Sequence, residues 1–199
     1  MSIKESLPET GTGRPISHGG PVDWNVVVTL PEDTFHEARH LLARWGRVRR
    51  TRHFNVLAMT VLDPSKFLAE FEAELRQTPG LLNFVSHVIP VQATFDFDTA
   101  EEFEAHARGV VRGWTARLAG KSFHVRLHRR GFKGALSTHD EERLLGESII
   151  AALAEAGTPG RIVFDDPDAV LQIETIDGRA GMSLWTRDEL QRCRFLGAG

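Results

Sequence analysis

The chain has 199 residues, 41% of them hydrophobic and 26% charged, with a formal net charge of −3. That length supports a sizeable core, in one large domain or two small ones, and no apolar run is long enough to span a bilayer. The one cysteine, Cys193, excludes an internal disulfide and a cysteine-rich zinc site; it reads first as a small packing residue and second as a nucleophile.

The opening stretch, MSIKESLPETGTGRPISHGGP, has no apolar centre and does not read as a secretory signal. Its Gly, Pro and Ser content predicts a flexible tail over residues 1–21, and the expected location is cytoplasmic. DWNVVVTL, residues 23–30, is a valine-rich run that reads as a strand ended by Pro31. Phe35, Ala38, Leu41, Leu42 and Trp45 then recur at helical spacing, with Gly46 as the expected stop. GRVRRTRHFNVLAMTVL, 46–62, predicts two strands joined by a tight turn near Arg52 to Asn55. Pro64 opens a helix carrying Phe67, Phe71 and Leu75, TPG at 78–80 breaks it, and one strand is expected over 86–97. Strand, helix, strand, strand, helix, strand is the ferredoxin-like arrangement.

A second half follows. Phe103, Ala107, Val110, Val111, Trp114 and Leu118 form an apolar stripe on a helix over about 100–118. GKSFHVRLHRRGFKG, 120–134, alternates: Phe123, Val125 and Leu127 on one side, Ser122, His124, Arg126 and His128 on the other, the period of a half-buried strand. Thr138 and Glu141 stand three apart as a capping box requires, opening a helix through Leu145, Ile149 and Leu153 that closes at Gly157. RIVF, AVLQIETI and RAGMSLW read as strands, and TRDELQRCRFL as a short closing helix. The fold class is therefore α/β (α+β), with a tail over 1–21, a first domain over 22–98 and a second over 99–199.

Net charge conceals a segregation of charge. From Ala105 to His139 there is no acid, but Arg108, Arg112, Arg117, Lys121, Arg126, Arg129, Arg130 and Lys133 with four histidines. Residues 38–53 hold Arg39, Arg44, Arg47, Arg49, Arg50 and Arg52, again without an acid. One such run is commonly a solvated face. Two runs, dominated by arginine, whose planar fork suits phosphate, point to a phosphate-bearing partner. Lys121, His124, Arg126, His128, Arg129, Arg130 and Lys133 are the candidate contacts, with Arg47, Arg49, Arg50, Arg52, Arg108 and Arg112 extending them. Phe132 either stacks on a base or tucks against its own domain.

No phosphate-binding loop, dinucleotide fingerprint or nucleophile elbow is present. The acidic turn FDDPDAV, 164–170, reads as a turn before a strand; Asp165, Asp166 and Asp168 as metal ligands of a small hydrolase is the rival reading. No cofactor and no catalytic residue is expected, and neither a membrane nor DNA is an expected partner. A regulatory module that oligomerises through its sheets is a further rival.

GKSFHVRLHRRG, the helix EERLLGESI and FDDPDAVLQIETIDGRAGMSLWTRDEL together resemble the THUMP domain, an RNA-binding module attached to tRNA-modifying enzymes. The family pattern is a basic strand, a helix with Leu-Gly, and a Pro-Asp turn into paired strands. It falls here on Arg126, Arg129 and Arg130, on Leu145 and Gly146, and on Pro167 and Asp168. The resemblance covers about residues 100–196 and implies a THUMP RNA-binding domain behind the ferredoxin-like one. The opening DWNVVVTL and the ending LWTRDELQRCRFL resemble more narrowly the adaptors of tRNA cytidine acetylation. That likeness implies a non-catalytic protein that binds the tRNA acceptor end and presents it to a separate RNA acetyltransferase for N4-acetylcytidine formation. The coarser implication is an RNA-binding subunit for another tRNA-modifying enzyme. Nothing in the chain resembles a thiouridylase, methyltransferase or pseudouridine synthase domain.

Overall fold

A computed structural model describes residues 23–197; the tail expected over 1–21 lies outside the described residues. The first half forms β1 (Val26–Thr29), α1 (Phe35–Leu42), β2 (Gly46–Arg50), β3 (Val56–Val61), α2 (Pro64–Gln77) and β4 (His87–Pro90). The strands pair antiparallel in the order β2-β3-β1-β4, which is the ferredoxin-like sheet. Val26, Val28, Leu57 and Met59 point to one face and pack under Leu42, Phe67 and Phe71 of the two helices. Asp63 caps α2 by accepting from the Ser65 and Lys66 amides, and Pro64 fills the first turn, where a missing amide costs nothing.

The second half continues with β5 (Ala93–Asp96), α3 (Ala100–Trp114), β6 (Ser122–His128), α4 (Thr138–Glu155), β7 (Arg161–Ile162), β8 (Ala169–Ile176), β9 (Arg179–Thr186) and α5 (Arg187–Arg192). Its sheet runs β5-β9-β8-β6-β7, with β6 parallel to both its neighbours and the other pairs antiparallel. Phe123, Val125 and Leu127 of β6 join Leu171, Ile173, Met182 and Leu184 in a core closed by Phe103, Ala107 and Val111 of α3 and Leu145, Ile149 and Leu153 of α4. No helix among the described residues is long and apolar enough to cross a membrane.

The other face of the second sheet is not solvated throughout. Val170 and Trp185 belong to the first core, together with Cys193, Phe195 and Leu196 from the end of the chain. Phe195 meets Phe71 edge to face at 5.1 Å. Cys193 is buried there and burial pushes its thiol pKa up, as a packing residue requires.

Four local expectations are corrected. The strand expected over 86–97 is two strands: β4 pairs with β1 and β5 with β9, so the chain changes sheets at Val91 and Gln92. Gly46 does not cap α1. It begins β2, where a Cβ would sit 2.2 Å from the Thr60 carbonyl oxygen. The helix expected to about 118 ends at Trp114 and tightens into a 3-10 turn over Thr115–Leu118. Thr138 and Glu141 form no capping box: Ser137 is the cap and accepts from the Asp140 amide at 3.3 Å. The capping box lies instead at Thr186 and Glu189, at the start of α5.

Glu141 turns inward, is 5% exposed, and leaves Oε2 without a hydrogen-bond partner among the described residues. Burial, with Glu104 and Asp140 adding repulsion and Arg108 opposing, pushes its pKa from 4.5 up to about 7. The folded protein therefore holds this proton more tightly than the unfolded chain. The resulting stability is full below about pH 4.5 and is lost as pH rises through about 7. Glu141→Gln, which stays neutral, should gain melting temperature relative to the wild type between pH 5 and pH 8. Equal pH dependence in the two proteins would show that Glu141 ionises without penalty.

Candidate nucleic-acid interface

Strand parity builds the site. His124, Arg126 and His128 alternate with the buried Phe123, Val125 and Leu127, so all three project from the face of the second sheet away from its helices. Register then sets their neighbours: His124 opposes Val170, Arg126 opposes Gln172, and His128 opposes Glu174. Glu174 is fully buried. One of its oxygens accepts from His128 Nδ1 at 2.7 Å and from Gln172 Nε2 at 3.0 Å, and the other from Arg130 Nη1. Gln172 also accepts from the Trp185 indole at 3.0 Å and donates to the Leu196 carbonyl at 3.2 Å. Part of the basic run thus answers an internal charge, because a buried carboxylate requires a partner.

The exit loop is shaped by backbone. Gly131 and Gly134 take φ of 99° and 87°, and Phe132 takes 50°. A Cβ on Gly131 would meet Asp177 Cα at 3.0 Å. The Arg129 guanidinium bends back to the Gly131 carbonyl, and its Nε is buried without a partner among the described residues. Phe132 does not reach out to stack on a base: its ring lies 4.8 Å from that of Phe97, and its carbonyl accepts from the Ala135 and Leu136 amides. Lys121 and Lys133, at the two ends of the segment, are exposed.

The first-half cations divide by strand face. Arg49 pairs with Ala58, which pairs with Val27, which pairs with Ile89, so Arg49 and, two residues earlier, Arg47 lie on the sheet face away from the helices. Arg50 lies on the other face, over the Phe35 ring at 5.0 Å. Arg52 and His53 both reach Asp177 Oδ1, at 2.6 and 3.0 Å, and the Asp177 amide donates to the Arg130 carbonyl at 2.8 Å. The turn before β3 is thereby tied to the end of β6. The face of the first sheet away from its helices is covered at Val27, Ala58 and Ile89 by Trp24 and Ile176, and beyond that cover it meets the polar row of β6 in a hollow lined by Thr29, His87, Ile89, Arg126, His128 and Arg130. Thr29 Oγ1 and His87 Nδ1 lie 2.8 Å apart at its wall. Burial, with His128 and Arg130 nearby and Glu174 opposing, lowers the His87 pKa.

Arg108 and Arg112 stand apart. They lie on α3, in the layer on the opposite side of the second sheet, and Arg108 pairs with Glu104 at 3.3 Å. The acidic turn is engaged structurally. Asp168 Oδ2 accepts from the Ser122 amide and hydroxyl at 2.8 and 2.6 Å, bonds that hold its pKa below the usual range. Arg187 pairs with Asp166 at 3.0 Å and Asp168 at 3.2 Å. Among the described residues no group of three or more His, Cys, Asp or Glu side chains is placed to hold a metal ion. Sequence reasoning missed His87, Arg194 and Phe164, the last 77% exposed beside His124. Only the sheet order brings His87 to β6.

No family model matches the chain, and no curated protein matches it. Solved structures do. PH1313 from Pyrococcus horikoshii Ot3 is 12% identical with a TM-score of 0.55, over 81% of this chain and 54% of that one. A 4-thiouridine synthetase in complex with RNA and bound ATP is 16% identical with a TM-score of 0.52, over 80% of this chain and 40% of that one. A possible methylase from Clostridium difficile 630 is 13% identical with a TM-score of 0.51, again over 80% and 40%. The chain spans about half the length of these structures or less. Such identities show a shared fold, and it is the expected α+β one, with a ferredoxin-like sheet in the first half and a five-stranded mixed sheet in the second.

The Glu174 cluster yields a stability prediction. Arg130→Ala leaves a buried carboxylate short of its main countercharge and should cost about 3–5 kcal/mol in urea unfolding. Adding Glu174→Gln should recover part of that loss. If the double variant is as unstable as the single one, charge compensation is not what Arg130 supplies.

Proposed function

We propose that this chain is an RNA-binding protein of tRNA modification. More narrowly, it is a non-catalytic adaptor that presents tRNA to a separate RNA acetyltransferase forming N4-acetylcytidine. The carrying observation is one hollow that gathers cations and imidazoles from both halves: Arg126, His128 and Arg130 from β6 and its exit loop face His87 of the first sheet, and Arg47 and Arg49 lie on that same sheet face, toward its other edge. A row of cations and imidazoles spaced by two residues, about 7 Å along a strand, suits a phosphate backbone. The shared fold with a synthetase solved as an RNA complex supports RNA as the ligand, and the sequence resemblance supports the tRNA acceptor end and the acetyltransferase partner.

In this reading Lys121, Arg126, His128 and Lys133 contact phosphates with His124 beside them, and Arg47, Arg49 and Arg52 extend the track across the first sheet. Arg129 and Arg130 shape the exit loop and balance Glu174, acting on RNA from behind the contact row. Arg50, on the helix face of the first sheet, and Arg108 and Arg112, on the far layer, lie off the track. Chemistry comes from the partner enzyme.

Anisotropy of labelled bulk tRNA across a salt series, against duplex DNA of similar length, tests the reading. The wild type should prefer tRNA, with affinity falling steeply as salt rises. Lys121→Ala with Lys133→Ala should lower the log–log salt slope by about 1 for each phosphate left without its lysine. Equal binding of DNA and tRNA would overturn the RNA assignment. In cells deleted for the chain, N4-acetylcytidine in tRNA should disappear by mass spectrometry; an unchanged level would remove the acetylation role and leave RNA binding standing.

A further inference from the structure

Phe164 has no packing reason to be where it is. It stands on the turn between β7 and β8, 77% exposed, with its ring 5.0 Å from the His124 imidazole at an interplanar angle of 64°. A large exposed ring leaves apolar surface in water and marks a contact to be made. Two hollows open on either side of this pair, and both are lined by His124 and Phe164.

On one side lies a recess of about 270 Å³ whose exposed surface is mostly apolar, lined by Val125, Gly146 and Ile162, with His139, Glu142 and the paired Arg143 and Glu147 also around it. Gly146 leaves room beside it: a Cβ there would meet Ile162 Cδ1 at 3.0 Å, so the end of that side chain would have to give way slightly. Glu142 Oε1 is already engaged, accepting from the Leu127 amide at 2.7 Å. On the other side Arg126 and Arg194 face the pair, above Val170 and Leu190. Asp165 and Asp166 stand on that rim, and Arg187 offsets them by pairing with Asp166. His124, which lines both hollows, has its Nδ1 buried without a hydrogen-bond partner among the described residues. An unpaired polar atom in such a place calls for a ligand atom.

We infer that this edge of the second sheet is a recess for an unpaired nucleobase, with Phe164 as its stacking face and His124 Nδ1 bonding the base edge. Arg126 and Arg194 hold the phosphate next to that base. The occupant is a nucleotide rather than a peptide because the recess is apolar on one side of a flat ring and cationic on the other, which is the division of a nucleotide itself. It is also continuous with the β6 row through Arg126, which lines this hollow and the one at His87. The inference rests on the RNA-binding reading and adds to it a demand for single-stranded RNA. Backbone contacts alone would accept a duplex; a stacked base must be unpaired.

The test uses the full chain with labelled single-stranded RNA dodecamers of A, C or U, and the same strands annealed to their complements. The wild type should prefer the single strands. Phe164→Ala should weaken single-strand binding about tenfold, with the salt slope and melting temperature unchanged, because the ring it removes is uncharged and exposed. Phe164→Trp should restore binding. His124→Ala should narrow the spread of affinities among A, C and U. If the wild type binds RNA but Phe164→Ala binds it equally well, the recess is wrong and the RNA reading stands. If the wild type binds no RNA at low salt, both fall. If Phe164→Ala abolishes self-association in sedimentation while RNA affinity is untouched, the face is a protein contact and the inference is overturned.

Discussion

A carboxylate with no access to water sits at the centre of this structure. Glu174 projects from the face of the second sheet that turns toward the first half, and its charge is tolerated there only because partners converge on it. Each partner comes from a different piece of chain: His128 from β6, Arg130 from the exit loop, Gln172 from the same strand. Gln172 then passes the constraint on, to the Trp185 indole and to the Leu196 carbonyl at the end of the chain. Satisfying one buried charge therefore fixes the polar edge of β6, the start of its exit loop and the seat of the C-terminal turn. A network of this kind is costly if any member is removed, which is why it can hold a binding face in one geometry.

The same turn explains why the two sheets act on one surface. Residues Cys193, Phe195 and Leu196 leave the second sheet and complete the core of the first, against Phe71 and the strand valines. Arg179 adds a polar tie, reaching Asp23 and Asp96 at 2.8 Å each and so bracketing the point where the chain changes sheets. Arg52 and His53 make a third link, to Asp177. With apolar packing, two ion-pair clusters and the β4–β5 crossover all spanning the halves, the Thr29 and His87 end of the first sheet is held opposite Arg126 and His128 of β6. The hollow between Thr29, His87 and Arg126 follows from those ties, since no one element builds it.

Much of this was legible in the residues. The alternation in SFHVRLH assigns every side chain of β6 to its correct face, because a period of two admits only one division when one half is apolar. The ferredoxin-like order is likewise carried by short valine runs and proline-opened helices. What escaped was partnership across long separations. AVLQIETI reads as a strand, but nothing local marks Glu174 as its buried member, because β8 is covered on both faces and has no wet side to place an acid on. The basic residues from Arg108 to Lys133 look equivalent in a charge count, though Arg130 is an internal counterion and Arg108 a helix-surface pair. Phe132 and Phe164 differ for a similar reason: the sequence leaves Phe132 to stack or to tuck, and its loop folds it onto Phe97, while nothing local marks Phe164 as exposed.

Once internal counterions are subtracted, the basic character of this protein is modest and its placement matters more than its amount. Lys121, Lys133, Arg47, Arg49 and Arg194 are exposed. Arg126 and His128 are half-buried, and His87 is exposed at the hollow's wall. A few phosphate contacts supply weak, salt-sensitive attraction that any nucleic acid would share. Discrimination must then come from features that a uniform duplex cannot satisfy. In the proposed reading, a hollow whose walls belong to two sheets selects for backbone that bends into it, and an exposed ring beside an apolar recess selects for a base free of its pair. Both demands are met where a helical stem gives way to a single strand.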